Sequence, residues 1–225
     1  PATLSEFRLL AGKFMQKPNG GVTPYKLNTP LFSDYAEKFR FYYVPPGRKI
    51  GWRDDGVLEF PVGSVLIKSF GYPADMRMPA KSLRMIETRL LIHRATGWVA
   101  LPYVWNADGS DAVLKRAGMR MDISWTHLDG RPRTISYAIP NVNQCKGCHD
   151  DGAGGISPIG PKARNLNRDG QLEAAAHAQK LDRLPPGTPK LPVWDDPATG
   201  SIALRARAYL EVNCAHCHNP KGPAN

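Results

Sequence analysis

Seven short runs rich in aromatic and branched residues, spaced from Phe39 to Ile139, constrain this chain more than any other feature. They are Phe39 to Val44, Val57 to Phe60, Ser64 to Phe70, Thr88 to His93, Trp98 to Trp105, Met121 to Thr126 and Thr134 to Ile139. Pro45-Pro46-Gly47, Asp55-Gly56, Asp108-Gly109 and Asp129-Gly130 punctuate them. Branched and aromatic side chains suit a pleated surface, whereas Gly, Pro and Asp turn the chain. Short runs at this spacing predict an antiparallel sandwich or barrel over residues 1–140. Ahead of them, Thr3-Leu4-Ser5-Glu6 has the form of a capping box and predicts a short amphipathic helix as far as Met15, stopped by Pro18-Asn19-Gly20-Gly21.

After Pro140 the texture shifts to loops rich in Gly, Pro and Asn. A helix is expected from Gln171 to Leu184, a Pro-rich connector over 185–199, and a last helix from Thr199 or Ser201 through Ala208 and Val212 towards Cys214. The fold class expected is therefore α+β and multidomain: an antiparallel β-rich region over 1–140, then a mostly α and loop region divided into 141–184, the connector 185–199, and 200–225.

All four cysteines fall in two strings, Cys145-Lys146-Gly147-Cys148-His149 and Cys214-Ala215-His216-Cys217-His218. No thiol is left over for a structural disulfide. In C-x-x-C-H the two thiols add to the vinyl groups of a haem, and the next residue places an imidazole beneath the ring as an iron ligand. The spacing predicts two covalently bound haem c groups, held through Cys145 and Cys148 with His149 as iron ligand, and through Cys214 and Cys217 with His218. The competing pattern is a zinc site of four cysteines. Both pairs are followed at once by His, although the chain has only six, which chance would give less than about one time in a thousand. Sixty-five residues separate Cys148 from Cys214, far beyond the spacing of paired zinc knuckles. A thioredoxin-like dithiol is disfavoured too, since neither pair follows a strand in a βαβ unit.

Longer strings accompany the motifs: Pro24 to Tyr35, Phe60-Pro61-Val62-Gly63, Glu87 to Leu91, Tyr103-Val104-Trp105-Asn106, Asn143 to His149, Ile159 to Arg168 and Asn213 to Pro220. In this order they resemble a family of bacterial diheme c-type cytochromes with an N-terminal β-rich domain and a C-terminal haem region. The resemblance implies a cytochrome c-like fold around each haem. It also implies a segment beyond the second motif that completes that pocket; seven residues follow His218 here, so a missing C-terminal segment or a partner chain is expected to supply it. Gly160-Pro161-Lys162-Ala163-Arg164-Asn165-Leu166 resembles the Gly-Pro-x-Leu loop of c-type cytochromes, and the carbonyl of Pro158 or Pro161 is expected to accept from His149. For the sixth ligand of the first haem the chain offers Met76, Met78, Met85, Met119, Met121, His93 and His127, with Met76 and Met78 on a loop that can reach over a ring. His177 reads as a surface residue, and His216 is expected to point away from iron.

The expected function is single-electron transfer between redox partner proteins, with a diheme peroxidase carrying one five-coordinate haem as the alternative. A third reading makes the β-rich region the binding part. No phosphate loop, nucleophile elbow or zinc-protease motif is present. The net charge of +10 is scattered rather than clustered, which favours solubility over a nucleic-acid surface. No apolar run is long enough to span a membrane. Covalent haem attachment takes place outside the bacterial cytoplasm, so a periplasmic or other extracytoplasmic location is expected although no signal peptide is visible at Pro1.

Overall fold

The computed structural model describes residues 1–219 and is dominated by antiparallel β-structure. A six-stranded sheet runs as a meander in chain order: β3 (Val22–Pro24), β4 (Glu37–Tyr43), β5 (Val65–Pro73), β6 (Leu83–Arg94), β7 (Gly97–Trp105) and β8 (Ala112–Leu114). Two hairpins accompany it, β1 (Leu10–Ala11) with β2 (Lys17–Pro18), and β9 (Met119–Thr126) with β10 (Pro132–Ile139). All strand pairs are antiparallel; a tight turn joins β6 to β7, as only antiparallel neighbours permit, whereas a long loop over 44–64 joins β4 to β5.

Both faces of the central strands are covered. Phe41, Val65, Ile67, Leu90 and Leu101 point to one face and pack under the N-terminal segment through Leu4, Leu10 and Met15. Tyr42 and Leu66 point the other way, where Ile50, Trp52, Leu58 and Phe60 join Ala163, Leu166, Leu172, Ala175 and Leu181 from the C-terminal part. Further along that second face, Phe70, Tyr72, Ile86 and Val104 carry the β9–β10 hairpin through Ile123, Trp125, Tyr137 and Ile139. Strand alternation thus sends successive residues into different cores.

The expected sandwich or barrel takes a lopsided form: one large open sheet with a hairpin laid on part of one face. Val57 to Phe60 makes only isolated bridges, Gly51 to Glu59 and Val57 to Lys162, while Leu58 and Phe60 are buried as core plugs. The N-terminal helix is replaced by 3-10 turns at Ser5–Phe7 and Lys13–Met15 around β1. Thr3 and Glu6 form half of a capping box, the Thr3 amide and hydroxyl both donating to Glu6 Oε1 at 3.2 and 3.1 Å with the hydroxyl accepting no helix amide among the described residues, and Arg8 and Gly12 have positive φ and end the helical path.

In the C-terminal part, expected to be mostly helix and loop, loop predominates and the helices among the described residues are α1 (Lys146–His149), α2 (Ala163–Leu166), α3 (Gln171–His177) and α4 (Ile202–Asn213). The helix expected to reach Leu184 stops at His177, because Gln179 is left-handed and Leu181 bridges to Ile50. The α4 helix starts where Ser201 predicts, its hydroxyl accepting from the Leu204 amide at 3.3 Å. A buried clasp ties the loop between β3 and β4 to α2: the Thr29 amide donates to Asn165 Oδ1 at 2.9 Å, and Asn165 Nδ2 returns a bond to the Thr29 carbonyl at 3.0 Å.

Candidate haem-attachment and metal-ligand site

The first C-x-x-C-H string lies within electrostatic reach of three charged residues of the sheet: Lys68 and Arg89 act on His149, and Arg89 and Glu87 on Cys145. Cys145 caps α1, and the His149 amide donates to its carbonyl at 3.0 Å. That single helical turn puts both thiols and the imidazole on consecutive corners of one segment. The Cys145 thiol is half-buried and raised by burial, whereas Cys148 is exposed.

His149 is held at both ends. Its Nδ1 lies 2.7 Å from the Ser157 carbonyl, and the Ser157 amide donates to the His149 carbonyl at 2.7 Å. The carbonyl fixes the proton on Nδ1 and leaves the Nε2 lone pair for a metal. Burial, aided by the charges of Lys68 and Arg89, lowers the imidazole to about 4 despite the stabilising Ser157 carbonyl. The ring is neutral at ordinary pH, the form that ligates iron or zinc. The carbonyl comes from Ser157 rather than Pro158 or Pro161. Asp150 pairs with Ile156 across a tight turn, which sets Ser157 opposite His149, and the Pro161 carbonyl instead accepts from the Leu58 amide at 3.0 Å.

The second string follows α4, whose Cys214 amide closes the helix on the Leu210 carbonyl at 2.9 Å. Glu211 pairs with Arg164 at 2.7 Å and Lys162 at 3.3 Å, and Asn213 accepts from the Phe32 amide at 2.7 Å, so α4 is pinned to the start of α2 and to the loop at Phe32. His218 is exposed, unlike His149. Ile202, Leu204 and Leu210 are also exposed on α4. The last six positions of the expected 200–225 unit lie outside the described residues.

The fold brings the two strings together. Cys217 Sγ lies 3.7 Å from the Gly147 carbonyl, and one ligand atom each from Cys148, His216 and Cys217 lies within 4.8 Å of the others. His216 therefore faces the meeting point of the motifs. Spacing alone had no means of revealing this, since the residue sits between two cysteines in sequence.

The donor set fits haem at the first motif: an exposed and a half-buried thiol with two residues between them, and a neutral imidazole with one nitrogen already bonded. At the second motif the thiols are present, but among the described residues the His218 imidazole has no comparable anchor. Among the sixth-ligand candidates, Met85 is buried on the opposite sheet face. His93 is bound at Nδ1 to the Phe60 carbonyl at 2.7 Å and stacks on Trp98 at 4.5 Å. His127 packs against Tyr35 at 4.9 Å, Met76 and Met121 lean on the hairpin core, and Met78 and Met119 are exposed. Among the described residues no helix is long and apolar enough to cross a membrane. Comparisons with protein-family models, curated proteins and solved structures find no match.

Proposed function

We propose that this chain is a diheme c-type cytochrome that passes single electrons between redox partner proteins outside the cytoplasm. One haem is carried by Cys145 and Cys148 with His149 on iron, the other by Cys214 and Cys217 with His218. The observation that carries the reading is the His149–Ser157 pair, which presents a neutral, oriented imidazole directly after two thiols of the right spacing. Bound haem supplies the one-electron couple. The chain's own residues then do the rest. Ser157 fixes the imidazole, the Glu211 ion pairs hold α4 to Lys162 and Arg164, and the Cys217 thiol reaches the Gly147 carbonyl of the first motif. The two attachment sites are adjacent, which suits transfer from one to the other. The cytochrome c-like fold around each haem belongs to this proposal, as does the extracytoplasmic location.

A second reading is favoured by the Cys148, His216 and Cys217 group, whose two thiols and one imidazole make a partial tetrahedral set for zinc. The readings exclude one another, because thioether formation consumes both thiols. A pyridine haemochrome count and metal analysis on the purified full chain separate them. Two haem c per chain, with low-spin bands unmoved by peroxide, is the expected result. Stoichiometric zinc without haem would overturn it, and a high-spin band that shifts on peroxide would turn the carrier into a peroxidase.

A further inference from the structure

Across the three central strands Arg40 sits directly opposite Lys68, and Lys68 directly opposite Arg89. The three share one sheet face, between the Tyr42–Leu66 core and the Phe70 core, and Lys38 lies two residues from Arg40 on the same face. Like charges directly opposite in a ladder repel, and recessed charges demand partners. Among the described residues one carboxylate answers Lys68 and Arg89. Glu87, fully buried, accepts from Arg89 at 2.5 and 2.9 Å and from the Tyr137 hydroxyl at 2.7 Å. Arg40 makes no side-chain hydrogen bond or ion pair among the described residues, and the ammonium of Lys68 has only the Phe70 ring, 4.7 Å from its centroid, which Arg89 also faces at 4.6 Å. Burial and the neighbouring guanidinium groups push Lys68 well below the usual lysine range.

So costly a row lies at the approach to the first motif: Tyr137, whose hydroxyl bonds Glu87 at 2.7 Å, stands on β10 eight residues before Cys145, whose thiol reaches back to the Asn141 carbonyl at 3.5 Å, and the charges of Lys68 and Arg89 reach His149. We infer that Arg40 and Lys68, flanked by Arg89, form the carboxylate-binding site for the two propionates of the haem carried by Cys145 and Cys148. The inference rests on the haem reading above and assigns the sheet a role in it: the β-rich region is the wall against which the first haem's charged edge is neutralised. Two unpaired cations meet two carboxylates, while the Glu87–Arg89 pair, already satisfied, stiffens the row. Charge-assisted bonds of this kind offset the repulsion that the row otherwise carries.

The test uses the full haem-loaded chain and its Arg40→Gln, Lys68→Gln and double variants, with Arg40→Lys and Lys68→Arg as charge-keeping controls. Spectroelectrochemical titration between pH 5 and 8 follows each haem separately. Losing a cation leaves a propionate charge uncompensated, which favours ferric iron. One component alone should therefore move to lower potential and acquire a pH dependence, while the controls stay near wild type. In a haem-free chain carrying Cys145→Ser and Cys148→Ser, the same glutamine changes should raise the melting temperature by relieving repulsion. Two haems per chain with both potentials and pH profiles unchanged in the double variant would overturn the propionate site and leave the cytochrome reading intact. Should the glutamine variants fail to fold, equal potentials in wild type and both controls at high and low salt would be expected, and a large salt shift in the first haem would contradict a filled site. A chain that carries no haem at all overturns both readings, and the haemochrome count identifies that case.

Discussion

The Nδ1 atom of His149 and the carbonyl oxygen of Ser157 lie 2.7 Å apart, closing a turn in which the Ser157 amide bonds back to His149. Only the backbone of residue 157 takes part. Ser157→Ala is therefore expected to leave the haem spectrum and both potentials unchanged. Ser157→Pro removes the donated N–H, costs about 1 kcal/mol, and shifts the potential of one haem. Thermal melts and spectroelectrochemistry check this, and indistinguishable behaviour of the two variants would count against the turn as the support of the imidazole.

Glu87 is expected to be the most sensitive acidic residue of the sheet. Glu87→Ala leaves Arg89 and the Tyr137 hydroxyl without their acceptor, at a cost of about 3 kcal/mol, whereas Tyr137→Phe costs about 1 kcal/mol. The Arg89 side chain is 34% exposed, so water regains part of its bonding and the first figure lies at the low end for a broken buried pair. For a chain of this length each kcal/mol lowers the melting temperature by about 2–4 °C. Equal melting temperatures for the two variants would remove Glu87 from the centre of this network.

Gly118 has a left-handed φ of 67°, and a Cβ there would stand 2.5 Å from the Ile139 carbonyl oxygen and 2.7 Å from the Asn141 amide nitrogen. Those neighbours are backbone and belong to the segment leading from β10 into the first cysteine motif. Gly118→Ala is expected to cost about 2–4 kcal/mol and to lower the fraction of chains that carry a haem at Cys145 and Cys148. Urea unfolding together with a haem count measures both effects. Wild-type stability in the variant would mean that the close approach is absent.

Lys38 gives a pH dependence whose sign is fixed. Burial and then Arg40 lower its ammonium from 10.5 to about 8, against the raising effects of Glu37 and Asp34, while its Nζ donates to the Leu31 carbonyl at 3.1 Å. Between about pH 8 and 10.5 the unfolded chain binds the proton more readily than the folded one, so this group makes stability rise with pH across that window. Below pH 8 the penalty is fully present. Lys38→Met is expected to raise stability at pH 7 by about 1–2 kcal/mol, the partial exposure of the group reducing the full effect, and to flatten the dependence. Urea melts at pH 7 and pH 10 read it, and a wild-type profile falling over that window would reverse the assignment.

What was legible in the sequence was local. Phe39 to Val44, Ser64 to Phe70 and Trp98 to Trp105 declare strands because their own side chains prefer the pleat, and Ser201 declares a helix start by its hydroxyl. Val57 to Phe60 has the same composition, yet its neighbour Gly51 offers only a single bridge, so it is buried without joining the ladder. The Thr3–Glu6 box was visible, but the left-handed turn at Arg8 that cancels its helix was not. Cysteine spacing located the two motifs. Their meeting at Cys148, His216 and Cys217, the choice of Ser157 over Pro158, and the row Arg40, Lys68, Arg89 all depend on register and on loops closing in space, which no local preference encodes.

The clasp between Thr29 and Asn165 joins positions 136 apart and encloses the first cysteine pair within the loop it closes. Closing so long a loop is entropically slow compared with zipping adjacent strands. The meander is therefore expected to assemble ahead of the clasp, and pulse-labelled amide exchange should find Asn165 protected after Ile67 and Leu90. Until it fastens, the segment carrying Cys145 and Cys148 is expected to hang as a flap, so the clasp sets when the first motif takes its place while leaving the Cys148 thiol open to solvent.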